Sequence, residues 1–330
     1  MNNILITGSS GFIGSALCSS YLIDDLNIIG IDIKNPVSED TKLTFAHCDL
    51  LDTHGLATLL EKISPTFIIH LAARTDLEEK QDLNGYAANT DGVKNLIYAI
   101  QRTSSVKRCI FTSSRFVCRP DYIPVSDRDY NPHTLYGQSK AIGEEIVHEL
   151  DGGGIEWCIV RPTTVWGARM SLHYPHYQKL LKMIYSGQYF HVGNKLLYKS
   201  YSYIGNIVYQ YKRILTAPLD LIYRKTLYLA DYQPLSIRDW INDIQVQLGA
   251  KPLKTMPVRA AKALASIGDL IQIIGFDRFP FNSFRLENLL TEFIYDLDTT
   301  QKVCGSLPYT WQEGVQELVL WLEQEKVLKK

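Results

Sequence analysis

The sequence of 330 residues predicts an α/β protein with a doubly wound parallel sheet and a smaller, mostly helical C-terminal domain. Short apolar runs, such as 108–112 and 157–161, alternate with helical stretches as far as Val165. This alternation is typical of parallel strands joined by crossover helices. After Gly167 the alternation ends and prolines punctuate shorter elements, which predicts a second domain over 167–330.

The first element is the apolar run 3–7, followed at once by Gly8-Ser9-Ser10-Gly11-Phe12-Ile13-Gly14. We expect a strand, a tight turn and a helix that starts near Gly11. Glycines at this spacing let the backbone approach a pyrophosphate at the helix N-terminus. The segment therefore predicts a dinucleotide-binding loop, although its G-x-x-G-x-x-G spacing matches the commoner G-x-G-x-x-G fingerprint only in part.

A second apolar run, 28–31, ends in Asp32, close to where an acidic residue holds the adenosine ribose diol. The Asp32 carboxylate would repel a 2′-phosphate, so the sequence favours NAD over NADP. Lys34, two positions further on, softens that preference because its charge attracts phosphate.

The most informative pair is Tyr136 and Lys140, which project from one face of a helix because four residues separate them. A lone tyrosine has a pKa of about 10, whereas a phenol beside a fixed cation gives up its proton more readily. The pair is therefore suited to moving protons to and from a hydroxyl. Such a pair also arises by chance in exposed helices, so its weight depends on the other motifs.

Composition limits the classes of protein that remain. A net charge of -1 and a pI near 6.7 give no broad electropositive field, so nucleic acid and an anionic membrane are not expected as general partners. The six cysteines form no C-x-x-C pair, and we expect buried thiols in a reducing, cytoplasmic compartment. His173 and His176 lack a third ligand nearby, so no metal site is expected. Since 1–3 leads directly into a strand, no signal peptide is expected.

The stretch 258–276 is apolar enough to raise the question of a membrane segment. Arg259, Lys262 and Asp269 interrupt it, so we expect an amphipathic helix that covers the active site or a partner, and no membrane span. Earlier in the chain, residues 226–230 are predicted to form a strand that returns to the main sheet.

Together these motifs resemble an extended short-chain dehydrogenase/reductase of the nucleotide-sugar epimerase and dehydratase superfamily. The resemblance covers the whole chain and rests on segments that follow one another in the family's order: Thr7-Gly8, Asp49-Leu50, His70-Leu71-Ala72-Ala73, 89–93, Thr112-Ser113-Ser114, 136–140, 161–167 and 199–206. It implies an NAD-binding Rossmann domain over 1–166, with a returning segment near 200–232, and a substrate-binding domain over 167–330.

The resemblance also implies a catalytic set. In it Tyr136 is the acid/base, Lys140 holds the nicotinamide ribose and lowers the pKa of the tyrosine, and Ser114 hydrogen-bonds the reacting oxygen. Ser114 could instead cap the next turn. Ser113 is the alternative candidate for the hydrogen bond to the reacting oxygen. Asn89 is interpreted either as support for the site or as a helix N-cap.

The ligands implied by the resemblance are NAD and a nucleoside diphosphate sugar. The expected cofactor contacts are Gly8, Gly11, Phe12, Ile13, Gly14, Asp32, Asp49, Leu50, Leu71, Ala72, Ala73, Asn89, Tyr136 and Lys140. The expected substrate contacts are Thr75, Ser114, Arg115, Thr163, Lys199, Arg278 and Arg285, of which Lys199 and the two later arginines would neutralise phosphates. For those three and for Arg115, a solvated surface position is the alternative.

Three functions remain open. Arg115-Phe116 follows Ser114 where dehydrating relatives carry Asp-Glu, so a 4,6-dehydratase is disfavoured. The first hypothesis is an NAD-dependent epimerase acting by transient oxidation at the sugar C4; the second is an NAD(P)H-dependent 4-keto-sugar reductase of surface-polysaccharide biosynthesis. The third is a non-catalytic NAD-binding regulator. The resemblance also implies a homodimer through the helices at 89–102 and 136–150.

Overall fold

The computed structural model describes residues 3–23, 27–36, 43–77, 79, 81–273 and 281–328. The strands are, in chain order, β1 (Ile4–Thr7), β2 (Ile28–Asp32), β3 (Thr44–His47), β4 (Phe67–His70), β5 (Arg108–Thr112), β6 (Glu156–Pro162), β7 (Thr164–Trp166), β8 (Phe190–Val192), β9 (Tyr198–Lys199), β10 (Tyr201–Tyr203), β11 (Thr226–Leu229), β12 (Leu235–Ser236) and β13 (Lys254–Met256).

The helices are α1 (Phe12–Ile23), α2 (Thr53–Ile63), α3 (Asp91–Gln101), α4 (Leu135–Glu149), α5 (Met170–His173), α6 (Pro175–Tyr185), α7 (Ile204–Thr216), α8 (Leu219–Ile222), α9 (Ile237–Gln247), α10 (Val258–Ile273), α11 (Ser283–Leu290), α12 (Asp298–Cys304) and α13 (Trp311–Gln324). Short 3-10 turns cover Leu83–Asn89, Arg115–Val117 and Asp151–Gly153.

The chain divides into two units, which we describe separately. The first contains Met1–Trp166, Ser202–Tyr232 and Tyr295–Tyr309. Its described residues form a seven-stranded sheet in the order β11-β6-β5-β4-β1-β2-β3, with parallel pairing throughout. The predicted doubly wound sheet is therefore confirmed, and β11, the expected returning strand, pairs with β6.

The strand order reverses between β1 and β4, because the chain builds outward in one direction from β1 to β3 and in the other from β4 onward. In open α/β sheets ligands bind outside the carboxyl ends of the strands at such a switch point. The glycine loop and the loop after β4 both lie there, since they follow β1 and β4 directly.

Helices cover the sheet because they carry apolar stripes. On one face Leu56 and Leu60 of α2 and Leu96 and Ile97 of α3 are fully buried against Leu5 and its neighbours in the strands. Each such side chain stabilises the fold by about 1.5–3 kcal/mol relative to exposure. The packing fixes the strand ends on which the site is built.

The second unit contains Gly167–Tyr201, Gln233–Ile294 and Thr310–Lys330. It is mostly helical, as predicted for the C-terminal part, with a parallel pair β8–β13 and an antiparallel pair β9–β12. Ala261 and Ala265 of α10 pack against Val192 and Leu286. The helix predicted over 258–276 is observed as α10, and the residues after 273 lie outside the described part as far as 280.

Two further expectations concern solvent exposure. All six cysteines are free and buried, which confirms that they are buried thiols. Across the described ranges, every helix is too short or too polar to cross a bilayer.

Candidate active site

The glycine loop between β1 and α1 needs glycine at two positions. Gly8 has a φ of +71°, and a Cβ on it would lie 2.6 Å from the backbone nitrogen of Ala72. A Cβ on Gly14 would lie 2.1 Å from the carbonyl oxygen of Gly8. The loop thus runs tightly between α1 and the segment after β4, and α1 begins at Phe12 with its N-terminus directed at the switch point.

Two carboxylates lie at the carboxyl ends of neighbouring strands, Asp32 at the end of β2 and Asp49 just after β3. Asp32 accepts hydrogen bonds from the backbone N–H groups of Ser10 and Lys34, both at 3.0 Å. The carboxylate is therefore held against the glycine loop, at the position expected to contact a ribose diol. Asp49 is exposed and accepts a bond from the Leu51 N–H at 2.9 Å. These acceptors and the helix N-terminus fit a dinucleotide, whose hydroxyls are donors and whose phosphates are anions.

Thr7 ties the end of β1 to the segment after β4. Its Oγ1 accepts the N–H groups of Leu71 and Ala72, both at 3.2 Å, and lies 2.8 Å from Nδ1 of His70. Because both lone pairs of the hydroxyl are then used, its proton goes to Nδ1, and the proton of His70 lies on Nε2. Burial and the charge of Lys140 lower the pKa of His70 to about 3, so its ring is neutral at pH 7.

Ser114 and Tyr136 both contact Phe116. The Ser114 Oγ accepts the Phe116 N–H at 3.2 Å, while the ring of Tyr136 contacts the ring of Phe116 edge-on with 5.7 Å between centroids. Gly137 permits this approach, since a Cβ there would lie 2.2 Å from the Phe116 carbonyl oxygen. Ser114 does cap the turn after β5, which was the alternative raised from the sequence. Because its oxygen acts there only as an acceptor, the hydroxyl proton can still be donated to a ligand.

Lys140 reaches the end of β5 from α4. Its Nζ donates to the carbonyl oxygen of Thr112 at 2.9 Å, and the side chain is buried. Burial lowers the pKa of Lys140 to about 8, and the charge of Glu144 partly opposes this. The ammonium is therefore still protonated at pH 7, one helical turn from Tyr136.

Glu144 and Arg161 form a buried ion pair behind Lys140. Both oxygens of Glu144 accept from Arg161, with Nε at 2.8 Å and Nη2 at 2.6 Å, and both side chains are almost fully buried. Arg161 also donates to the carbonyl oxygen of Asp127 and to the hydroxyl of Tyr228. Burial alone would lower the pKa of Arg161, but its bonds to Glu144 raise it overall. The pair supplies Lys140 with a fixed negative neighbour.

Asn89 joins three segments of the site. Its Oδ1 accepts the N–H of Arg74 at 2.8 Å, and its Nδ2 donates to the Arg74 carbonyl and to the Ser139 hydroxyl. Ser139 in turn donates to the carbonyl of Tyr136 at 2.7 Å. Helix α3 has Thr90 as its N-cap residue, so the N-cap interpretation of Asn89 is wrong. Its side chain instead fixes the start of α4 to the loop after β4.

A small cavity of about 20 Å³ lies beside Lys140. His70 Nε2 and Ser113 Oγ are buried without a hydrogen-bond partner in the part of the chain that the structure describes. Both residues line the cavity, together with Asn89, Lys140 and Glu144. The volume is large enough for one water molecule, which these polar groups could hold. The hydroxyl of Ser113 thus belongs to the wall of this cavity.

The residues expected to contact substrate differ in exposure. In the first unit Thr75 is exposed and Thr163 is buried after β6. Arg115 is only 7% exposed, with its guanidinium over the ring of Phe116 at 4.3 Å, so the solvated alternative is wrong for it. Its charge and a hydrogen bond oppose the rise in pKa that burial causes in Tyr295.

The expected phosphate-binding residues lie in or near the second unit. Lys199 is buried, donates to the Asn288 carbonyl and lies over the ring of Phe293, so it is not a solvated lysine. Arg285 is exposed on α11. Arg278 lies outside the described residues.

Sequence reasoning missed Glu144, Arg161 as its partner, and Ser139. A signal was available for Glu144, which lies four residues after Lys140 and hence on the same helix face. No local signal identifies Arg161, because its partner lies 17 residues earlier in the sequence.

A parallel sheet with a glycine loop at its switch point, and a Ser, Tyr and Lys set one strand-end away, define a dinucleotide-dependent enzyme of the short-chain dehydrogenase/reductase class. Residues 4–214 match the NAD dependent epimerase/dehydratase family, so this chain belongs to that family. Membership confirms the resemblance inferred from the motifs and confirms NAD as the expected cofactor.

Similar proteins carry several activities. A protein of Escherichia coli O157:H7 named N-acetyl-alpha-D-glucosaminyl-diphospho-ditrans,octacis-undecaprenol 4-epimerase is 26% identical over 325 residues, which cover 95% of this chain and 93% of the relative. A 3-beta-hydroxysteroid dehydrogenase of Mycolicibacterium neoaurum is 26% identical over 267 residues, or 76% and 71% of the two chains. The solved UDP-glucuronic acid 4-epimerase of Bacillus cereus, in complex with UDP-glucuronic acid and NAD, has a TM-score of 0.74 at 20% identity, over 98% and 99% of the chains. The similarity to this solved structure shows that the two proteins share a fold.

Proposed function

We propose that this protein is an NAD-dependent epimerase that acts by transient oxidation at C4 of a nucleotide sugar. The observation that carries the proposal is the set at the end of β5. The Ser114 hydroxyl accepts the Phe116 N–H, the Tyr136 ring contacts the Phe116 ring, and the Lys140 ammonium donates to the Thr112 carbonyl. A proton carrier, a hydroxyl donor and a buried cation are what reversible oxidation of an alcohol requires.

Each residue has one role in this proposal. Tyr136 removes the proton from the C4 hydroxyl as the carbon becomes a ketone, and returns it after the sugar has turned over. Ser114 donates its remaining hydroxyl proton to the same oxygen. Lys140 is charged at pH 7, so it stabilises the ionised phenol one turn away and holds the nicotinamide ribose.

When bound, NAD would supply the acceptor for the C4 hydride and the donor from which that hydride reaches the opposite face of the sugar. The rest of the cofactor would be held by three parts of the chain. The glycine loop would bind the pyrophosphate, Asp32 the adenosine ribose, and Asp49 would contact the adenine. The wall of Leu71 and Ala72 is compact because the backbone of both is bonded to Thr7. Nothing larger than glycine fits at Gly8 without displacing that wall.

The substrate is a sugar carried on a diphosphate. The Escherichia coli relative, named as a 4-epimerase of a diphospho-undecaprenol-linked sugar, supports both the position of the reaction and the diphosphate. Its carrier is a lipid, so both nucleotide-linked and lipid-linked sugars belong in the substrate screen. Thr75, Arg115, Thr163, Lys199, Arg278 and Arg285 are the proposed substrate contacts.

A net oxidoreductase is the second candidate, because the 3-beta-hydroxysteroid dehydrogenase is as similar in identity as the epimerase. In that case the protein would be a 4-keto-sugar reductase. The same residues would then catalyse a reaction that consumes NAD(P)H from solution. The third hypothesis, a non-catalytic regulator, has no use for the complete set of Ser114, Tyr136 and Lys140.

Stoichiometry separates these candidates. The purified protein is incubated with UDP-linked hexoses, UDP-N-acetylglucosamine, UDP-glucuronic acid, a lipid-diphosphate-linked N-acetylglucosamine and a UDP-linked 4-keto-6-deoxyhexose, with and without added NADH, and the sugars are resolved by chromatography. An epimerase gives two C4 epimers without added NADH, whereas turnover that consumes one NADH per product identifies a reductase. The absence of turnover with nucleotide-linked and lipid-linked sugars alike would leave the regulator.

Substitution of the set tests the assigned roles. Tyr136→Phe should lower turnover by about 100-fold or more, since general acid–base catalysis contributes about that much. Tyr185→Phe, at a 40% exposed position on α6, is the matched control. Full activity of Tyr136→Phe would refute the mechanism.

Homodimerisation through α3 and the helix containing Tyr136 is part of the same proposal. Tyr98 is 40% exposed on α3, which would be covered in such a dimer. Analytical ultracentrifugation of the wild type and of Tyr98→Glu measures whether this face holds two copies together.

A further inference from the structure

Helix α10 has two different apolar faces. Ala261 and Ala265 are buried and pack inside the second unit. On the opposite side a second stripe repeats at intervals of three and four residues and is exposed: Ala260, Ala263, Ile267 and Leu270. Ile267 is 52% exposed and Leu270 63%. A helix whose outer side is apolar in this way is suited to contact something other than water.

Cations accompany the outer stripe. Arg259 and Lys262 are exposed and flank it along one edge, while Lys251 and Lys254 are exposed just before the helix. The described residues 251–273 contain one carboxylate, Asp269. It accepts hydrogen bonds from Ser283, which also lowers its pKa.

The second unit as a whole is also positively charged, like the edge of α10. By sequence this unit carries 15 Lys and Arg against 10 Asp and Glu, whereas the first carries 19 against 25. The net charge of -1 therefore hides two units of opposite charge. The expectation that an anionic membrane is not a general partner was drawn from the net charge of the whole chain, which does not describe the positive second unit.

We propose that the outer face of α10 docks this protein on an anionic phospholipid surface, with the helix lying in the interface plane. The stripe would bury Ile267 and Leu270 among the upper acyl chains, and Arg259 and Lys262 would contact the headgroups. The helix has 16 residues, about 24 Å, and lies on the membrane without crossing it. A second copy of the same face is disfavoured, because two such segments would bring positive charge together.

This docking goes beyond the proposed epimerase activity and does not depend on it. It would bring a diphosphate-processing enzyme to the surface where lipid-linked substrates are found. Vesicle binding and sugar turnover are separate measurements, so failure of one leaves the other standing.

Sedimentation with vesicles tests the proposal on the full chain. Vesicles of phosphatidylglycerol and phosphatidylcholine in equal parts are compared with vesicles of phosphatidylcholine alone, at low and at high salt. We expect binding to the mixed vesicles that is at least about tenfold tighter than to the neutral ones and that weakens with salt.

Two double variants separate the apolar and the charged contributions. Ile267→Asp with Leu270→Asp, and Arg259→Glu with Lys262→Glu, should each weaken binding by about tenfold or more. The matched controls change exposed residues elsewhere in the same unit: Val246→Asp on α9, and Lys179→Glu with Lys182→Glu on α6. Circular dichroism and thermal unfolding of each variant show that it has folded.

The outcomes are distinct. Tight binding to the mixed vesicles that both α10 variants lose and the controls keep supports the proposal. Equal binding to both kinds of vesicle, no binding, or equal loss in the Lys179→Glu and Lys182→Glu control overturns it. Self-association that Ile267→Asp with Leu270→Asp abolishes, in the absence of vesicle binding, assigns the face to a second copy and also overturns it.

Discussion

Replacement of Lys140 by methionine tests how the fold accommodates a buried ammonium. Burial lowers the pKa of Lys140 from 10.5 to about 8. One pKa unit corresponds to about 1.4 kcal/mol, so keeping this side chain charged in the folded state costs about 3 kcal/mol at pH 7. Methionine removes that cost but loses the hydrogen bond to Thr112, worth about 1 kcal/mol. The variant should therefore unfold with a free energy about 2 kcal/mol higher than the wild type, while losing its catalytic activity.

The effect has a defined pH dependence. Because the folded-state pKa of Lys140 lies below the unfolded value, the unfolded chain binds more protons between about pH 8 and pH 10.5. The wild type thus gains stability through that window, and the advantage of the methionine variant is complete below about pH 8 and gone by pH 10.5.

Urea unfolding at pH 7 and at pH 10 measures the difference. Lys62→Met, at an exposed position on α2, is the matched control and should show no such pH-dependent gain. A Lys140→Met variant that is less stable than the wild type at pH 7, or whose advantage is the same at both pH values, would refute the reasoning.

Three other substitutions probe the site. Gly137→Ala should lower the free energy of unfolding by about 2 kcal/mol and reduce turnover, because its Cβ would meet the Phe116 carbonyl at 2.2 Å; urea unfolding and a turnover assay measure both. Glu144→Gln should cost about 3 kcal/mol in urea unfolding, since it leaves the buried charge of Arg161 uncompensated. Asp32→Ser should reduce the preference for NAD over NADP by about tenfold in fluorescence titrations, because the repulsion of a 2′-phosphate is lost.

Each of these has a control or a contrary result. Gln138→Ala and Glu149→Gln change exposed neighbours on α4 and should be close to neutral. If Glu144→Gln is as stable as Glu149→Gln, the buried pair does not hold the helix as described. An unchanged ratio of NAD to NADP affinities in Asp32→Ser would show that another residue reads the ribose.

The parts of the site that the sequence predicted are those whose chemistry is local. The conformation of the glycine loop is determined within seven residues. Tyr136 and Lys140 lie one turn apart on the same helix face because a helix repeats about every 3.6 residues. The sequence also predicted α10, which begins at Val258 as expected and is helical as far as the described residues extend. In all these cases neighbouring residues determine the geometry.

The rest depends on contacts between distant segments. The bond from Asn89 to Ser139 spans 50 residues and the one from Thr7 to His70 spans 63, so neither follows from a local pattern. The inward orientation of Arg115 is set by packing on Phe116, which sequence spacing does not reveal. Net charge likewise says nothing about how Lys, Arg, Asp and Glu are divided between two units.

The pairing of Glu144 with Arg161 constrains how descendants of this sequence can diverge. A change of either residue alone leaves the charge of the other buried and uncompensated. Replacement of both by well-packed apolar side chains can be tolerated. Lineages must therefore alter both positions nearly together or neither. We expect the two positions to covary as a unit, even where the rest of helix and strand drifts freely.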